Sequence, residues 1–415
     1  MTLQTHIEET QEYFGPFFPY VVDEKVTDID YNGRAVWLTT TDGGRTLCED
    51  VLCTEDFIHQ FTARVANTVS KPFHKQSPIL EAETDTLRIT IVHDSVALSG
   101  TTISIRKSLP KVRMTRERML SEGYCLPEIF TLLVHCVRAK MNFVFCGEPG
   151  AGKTECAKFF SRFIPASERV ITIEDTPEWH YSAISPGADC IELRINAKLD
   201  YSAAIKASLR LNPKWMMLSE ARSTEVLKLI EGFSTGVCGM TTIHTDDVKK
   251  VPDRMVNMAG QSRNEKRLEN DIYTFLDVGI LIRRQEMTDE NGRHFYRRFL
   301  DQVAFFFREN EQNHICVILQ DGKLVCTELP EEVQRRMRRV GIEDPFSNRP
   351  AHLPVKSVDE RPADPSMQQE ECTAEDFLFQ PAGETFFSPE EETLPPEKMQ
   401  KMKRGTYLGQ KNAFG

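Results

Sequence analysis

Near the N-terminus, apolar and polar positions follow two alternating periods. A period-two pattern starts at Val26, and the turn signals Asn32-Gly33 and Asp42-Gly43-Gly44 flank the apolar run Ala35-Val-Trp-Leu38. Thr54 reads as a helix cap with Glu55 and Asp56 in the first turn. Phe57, Ile58, Phe61, Val65 and Val69 then recur at helical spacing. Thr86 to His93 carries Leu87, Ile89 and Ile91 on one face, and Thr101 to Arg106 follows as another strand. The pattern predicts a small α+β domain over residues 25–107. Residues 1–24 are polar, then aromatic and proline-rich, without periodicity, and read as an extension. Residues 108–126, with Lys111, Arg113, Arg116 and Arg118 just after Lys107, read as a basic linker that is a hinge, a nucleotide-facing strip or, as is usual for such runs, simply solvated.

Pro127 opens a helix whose buried face is Ile129, Leu132, Leu133, Cys136 and Val137. From Met141, short apolar runs alternate with helical stretches, which predicts an α/β domain with a mostly parallel sheet over residues 127–340. The runs before Glu174, Glu220 and His244 each end in these polar residues. Strand C-termini line the ligand crevice of an open parallel sheet, so the three side chains are expected to converge. Val278–Arg283 with Phe295–Phe307, around Glu290-Asn-Gly292, and Ile315–Leu319 with Leu324–Cys326, around Asp321-Gly322, predict C-terminal β-hairpins.

Composition narrows the class. The 415 residues are 40% hydrophobic and 27% charged, as in an ordinary soluble globular protein of two or three domains. A net charge of −11 disfavours nucleic acid as the main ligand. The eleven cysteines form no C-x-x-C pair, and several lie in apolar runs, so they are expected to be reduced thiols in a cytosolic protein. No signal peptide or membrane-spanning run is read, which leaves any membrane role to peripheral contact. After Gly341, nine of the 22 prolines and 14 acidic against 8 basic side chains predict a disordered acidic tail over residues 341–415.

The densest chemistry lies in Phe143-Val-Phe-Cys-Gly-Glu-Pro-Gly-Ala-Gly-Lys-Thr154. An apolar strand runs into Gly147-x-x-x-x-Gly152-Lys153-Thr154, and a helix follows, which is the setting of a P-loop. Loop N–H groups from Gly147, Glu148, Pro149, Gly150, Ala151 and Gly152 to Glu155 surround the phosphates (Pro149 contributes only backbone shape). The helix N-terminus adds partial positive charge, and Lys153 a full one. The Thr154 hydroxyl suits Mg²⁺. Hydrolysis of ATP also needs a second carboxylate at the metal, which Glu220 fits, and one to poise water. For the latter, Glu174 is the better placed, with Asp175 and Glu178 as further options. His244 is expected to sense or couple the γ-phosphate, and Arg88, Arg106, Arg194, Arg210 and Arg222 are a pool of charge for it.

These motifs resemble a family. Gly147 to Thr154, Ile173-Glu-Asp-Thr-Pro-Glu178, Leu209 to Arg222, and Thr241 to Thr245 are similar to the Walker A, Asp box, Walker B and His box of the secretion ATPases. Those proteins power type II and type IV secretion, pilus assembly and conjugation. Arg64 to Lys71, Ser77-Pro78 and Thr102 to Lys107 resemble the N-terminal domain of the type IV secretion, conjugation and Tad pilus branch. The likeness spans residues 25–285. It implies a RecA-like ATPase domain in a homohexameric ring, with ATP and Mg²⁺ held between the two domains, working at the cytoplasmic face of the inner membrane on membrane-embedded components. It further implies a general-base role for Glu174, a Walker B role for Glu220, and nucleotide contacts for Arg88, Arg106 and Arg222. Ser219 stands where the family pattern expects glycine, no tetracysteine zinc motif is present, and the tail has no counterpart. The competing readings are a nucleic-acid-stimulated motor, a nucleotide-bound scaffold that does not hydrolyse, and a small-molecule kinase.

Overall fold

The computed structural model describes residues 7–49, 53–260, 265–288, 290 and 294–347. Asn291 and Gly292 of the predicted turn, and the predicted tail beyond residue 347, lie outside the described residues.

The N-terminal domain begins with two short helices, α1 (Gln11–Phe14) and α2 (Phe18–Val22), followed by β1 (Val26–Tyr31), β2 (Val36–Thr40), β3 (Arg45–Cys48), α3 (Glu55–Thr68), β4 (Ile79–Glu83), β5 (Leu87–Val92) and β6 (Thr102–Lys107). The strands form one antiparallel sheet in the order β3-β2-β1-β6-β5-β4. The Thr54 hydroxyl accepts the Phe57 N–H and starts α3 where the sequence placed its cap. Leu87, Ile89 and Ile91 face the core together with Phe61 and Val65. The intervening Arg88 therefore stands on the opposite face, where it pairs in register with Arg106.

Two expectations change here. Residues 11–22 are not a loose extension, because Phe14 and Phe17 are fully buried and pack edge-on or tilted against Phe61. Aromatic packing fixes this segment without any periodic signal. Nor is the basic connector solvated throughout: it forms α4 (Arg116–Ser121), buries Met119, Tyr124 and Cys125, and pairs Lys111 with Glu24.

The second domain runs α5 (Pro127–Arg138), β7 (Phe143–Cys146), α6 (Lys153–Ser161), β8 (Val170–Glu174), α7 (Tyr181–Ile184), β9 (Cys190–Arg194), α8 (Tyr201–Ser208), β10 (Trp215–Leu218), α9 (Glu225–Ser234), β11 (Cys238–Ile243), α10 (Val251–Met258), α11 (Glu265–Phe275), β12 (Val278–Thr288), β13 (His294–Glu309), β14 (Gln312–Gln320), β15 (Lys323–Leu324) and α12 (Glu331–Arg339). Its sheet is mixed, in the order β15-β14-β13-β12-β7-β11-β10-β8-β9. From β9 to β12 the neighbours are parallel, and beyond β12 the sheet continues as antiparallel ribbon.

Helices cover both faces, so the parallel strands are apolar throughout instead of alternating. Phe143 and Phe145 pack into the layer of α5 and α6, while Val144 and Cys146 pack into the layer of α9 and α10. Helix α12 closes the base: Arg336 lies 2.5 Å from Asp277, whose other carboxylate oxygen accepts the Asn142 N–H at 2.7 Å. Residues 341–347 still pack on this domain, with Ile342 buried and the Pro345 carbonyl 2.9 Å from His135 Nδ1.

Candidate active site

Parallel register brings the strand ends to one level. Cys146 pairs with Ile243, Thr241 with Leu218, and Leu218 with Ile173. The residues that follow, Gly147, His244, Ser219-Glu220 and Glu174, therefore emerge along a single edge. The loop after β7 requires glycine at Gly147: its φ is 148°, and a Cβ there would lie 2.5 Å from the Ile282 carbonyl oxygen. Helix α6 then starts at Lys153, so its N-terminal N–H groups open onto the loop.

Lys153 is 8% exposed. Its Nζ donates to the carbonyls of Gly147 and Glu148, each at 3.2 Å, and reaches His244 Nδ1 at 3.1 Å. Burial lowers its pKa to about 8, against the opposing pull of Glu220. An ammonium donating to Nδ1 leaves the imidazole proton on Nε2, which faces Glu220 Oε1 at 3.1 Å. Burial, with Lys153 beside it, lowers the His244 pKa, so the ring is neutral near pH 7. Glu220 Oε2 is held by Arg222 at 3.0 Å, and Arg222 also binds Asp175 at 2.9 Å. Lys153, His244, Glu220, Arg222 and Asp175 thus form one chain of polar contacts. Ser219, at the position where glycine is expected, is 4% exposed, and its buried Oγ has no hydrogen-bond partner among the described residues.

The Thr154 hydroxyl donates to Glu178 Oε2 at 2.9 Å. The sequence favours Glu174 to poise water, with Asp175 and Glu178 as further options. In the structure the Glu174 carboxylate, 5% exposed, instead accepts the N–H groups of Glu178 and Trp179 at 2.6 and 3.0 Å. It pins the turn that presents Glu178. Burial raises its pKa to about 7 even though those two N–H bonds oppose the shift.

The remaining expected residues divide. The Glu155 carboxylate accepts the Arg113 N–H at 3.2 Å and lies 3.5 Å from Lys158. Glu148 lies 3.5 Å from Arg284. Arg106 is held by Asp28 at 2.9 Å and lies within electrostatic reach of Glu178, whereas Arg88 approaches Glu81 at 3.9 Å. Thr154 and Glu220, expected as a metal pair, have separate partners. Among the described residues there is no cluster of three metal-ligating side chains. Mg²⁺ bound with phosphates needs only one or two protein oxygens, and the Thr154 hydroxyl with the Glu220 carboxylate is a hard donor pair of the kind it takes. The residues therefore fit ATP with Mg²⁺. Among the described residues, no helix is long and apolar enough to cross a membrane.

A protein of Bacillus anthracis without assigned function is 29% identical over 326 residues, covering 76% of this chain and 74% of that protein. The type IV secretion system protein VirB11 of Bartonella quintana is 25% identical over 201 residues, 46% of this chain and 55% of VirB11. The chain thus spans about half the length of that relative. The ATPase DotB of Yersinia pseudotuberculosis shares the fold, with a TM-score of 0.52 at 15% identity over 72% of this chain and 80% of DotB. The family model described as type II/IV secretion system protein matches residues 79–345, from the outer strands of the N-terminal sheet through α12. With that match over more than half of its length, the chain belongs to the type II/IV secretion system protein family.

Proposed function

We propose that the chain hydrolyses ATP and is the motor subunit of a type IV secretion, conjugative transfer or pilus assembly machine. The observation that carries this reading is the joining of the P-loop lysine to Glu220 through a single neutral imidazole, beside a separate Thr154–Glu178 contact. Lys153 has an ammonium to give to phosphate oxygens in place of the loop carbonyls it now binds. Thr154 supplies the hydroxyl for Mg²⁺, which when bound neutralises charge on the β and γ phosphates. Glu178 orients the attacking water and takes its proton. Glu174 positions Glu178. His244 links the charge of Lys153 to Glu220, so a change at the phosphates alters the Arg222–Asp175 end of the chain.

The same reading places the chain in a homohexameric ring on the cytoplasmic face of a membrane, in contact with membrane-embedded partners. Nucleotide would lie between the two domains, within reach of Arg88 and Arg106. The test is ATPase rate against protein concentration, with mass by light scattering, with and without ATP and Mg²⁺. Turnover that rises as a hexamer forms supports a ring motor. Tight ATP binding without turnover at any concentration would leave a nucleotide-bound scaffold.

A further inference from the structure

Two arginines absent from the motifs above face the P-loop. Arg284 on β12 and Arg298 on β13 are direct cross-strand partners. Like charges at such a pair repel, so their placement costs stability unless an anion or dipole compensates. Both lean on the glycine loop. Arg298 Nε donates to the Gly150 carbonyl at 3.3 Å, and a Cβ on Gly152 would sit 3.6 Å from Arg298 Cδ. A Cβ on Gly150 would sit 3.4 Å from Arg284 Nη1. The Arg284 Nε is buried without a hydrogen bond, and a Glu148 carboxylate oxygen lies 3.5 Å away. The Arg284 guanidinium stacks over Tyr296 at 4.3 Å, which fixes its plane. Burial and the neighbouring Arg284 both lower the Arg298 pKa, with Tyr124 and Asp42 opposing them.

The pair also meets the other domain. Arg298 Nη1 donates to the Thr41 carbonyl at 2.8 Å, and the Tyr296 N–H donates to the Asp42 carbonyl at 2.7 Å. Gly43 allows this approach, since a Cβ there would fall 2.6 Å from the Tyr296 ring. One side chain, Arg298, therefore touches the P-loop and the β2–β3 turn of the N-terminal domain together.

We propose that Arg284 and Arg298 are an intramolecular arm of the polyphosphate site, binding the phosphate chain of a nucleoside triphosphate, and that Arg298 carries its occupancy to the Thr41–Gly43 turn. This rests on the nucleotide reading above. The arm supplies two planar guanidinium forks, which suit phosphate oxygens better than a second lysine would.

The experiment uses the full chain, titrated with ATP–Mg²⁺ and separately with inorganic tripolyphosphate. Arg284→Gln and Arg298→Gln are each expected to weaken binding of both probes by about tenfold, the worth of one lost charge-assisted contact. Arg335→Gln, an exposed arginine of α12, is the control and should bind both as wild type does. Hydrogen exchange at residues 40–44 should slow on ATP binding in wild type and not in Arg298→Gln. Arg284→Gln breaks no contact with the N-terminal domain, so it carries the test should Arg298→Gln fail to fold. Unchanged ATP affinity in Arg284→Gln, with binding lost in Lys153→Ala, would remove the arm and leave the nucleotide site standing. Weakened ATP with unchanged tripolyphosphate would move the contact to the base and overturn the phosphate assignment. A wild-type chain that binds no ATP would take down both readings.

Discussion

Lys153 Nζ stands 3.1 Å from His244 Nδ1, and the same ring presents Nε2 to Glu220 at 3.1 Å. A neutral imidazole suits both neighbours, because one nitrogen accepts from the ammonium while the other donates to the carboxylate. Protonated, the ring would repel Lys153.

His244→Ala is expected to lower kcat by about a hundredfold, with ATP affinity changed less than about threefold, since the ring couples groups and does not hold phosphate. Steady-state kinetics and equilibrium titration check this. Loss of affinity with kcat intact would place the ring in ground-state binding instead.

Lys153 should make nucleotide binding proton-linked. Its pKa is lowered to about 8, and a bound phosphate chain would raise it. At pH 8.5 binding should therefore take up a proton, and ATP affinity should fall as pH rises through 8. Calorimetry in buffers of different ionisation enthalpy measures the uptake. Binding heats that do not depend on the buffer at that pH would refute the linkage.

The two glutamates of the turn after β8 are expected to separate by assay. Glu178→Gln should bind ATP and lose about a hundredfold or more in turnover. Glu174→Gln should lose less, because glutamine still offers an oxygen to the Glu178 and Trp179 N–H groups. The reverse order of severity would return the water-poising role to Glu174.

Glu174 also predicts a pH profile of stability. Its folded pKa, about 7, lies above its ordinary value of 4.5, so its contribution is full below 4.5 and is lost as pH rises through 7. Between pH 4.5 and 8, wild type should lose about 3 kcal/mol relative to Glu174→Gln. Urea melts of both proteins at several pH values would show it, and parallel profiles would argue against a buried, proton-binding carboxyl.

Gly239 lies in β11 beneath this chain of contacts, where a Cβ would fall 2.6 Å from the Met216 carbonyl and 2.3 Å from the Phe233 ring. Gly239→Ala should cost at least about 1–3 kcal/mol by overpacking. A melting temperature within a degree of wild type would show that the layer yields more than its packing suggests.

Much of the site was legible because it depends on strand ends. Runs that stop at Glu220 and His244 identify the crevice once the sheet is parallel, and the P-loop fixes which strand is central. Glu174 and Glu178 differ for a local reason that the sequence does not carry: only the turn geometry shows that the Glu174 carboxylate accepts N–H groups four and five residues ahead. Arg284 and Arg298 were missed because charged positions on a long antiparallel ribbon read as solvated. Register across that ribbon, set partly by an irregularity between Leu281 and Ile282, decides that both face the glycines. Phe14 and Phe17 were likewise lost to periodicity, since short helices broken by Gly15, Pro16 and Pro19 offer no repeat to count.

Strand β12 starts in the apolar interior beside β7 and ends outside it, next to the N-terminal domain. The stretch from Arg283 to Thr288 projects roughly 20 Å at the rise of an extended chain. Held at its root by the sheet and touching the glycine loop just beyond that root, the ribbon has the proportions of a lever with a short input side. A rotation of about five degrees there would move its far end by roughly 2 Å over that length. Displacements too small to see among bound phosphates would then arrive at the neighbouring domain as movements the size of a side-chain contact.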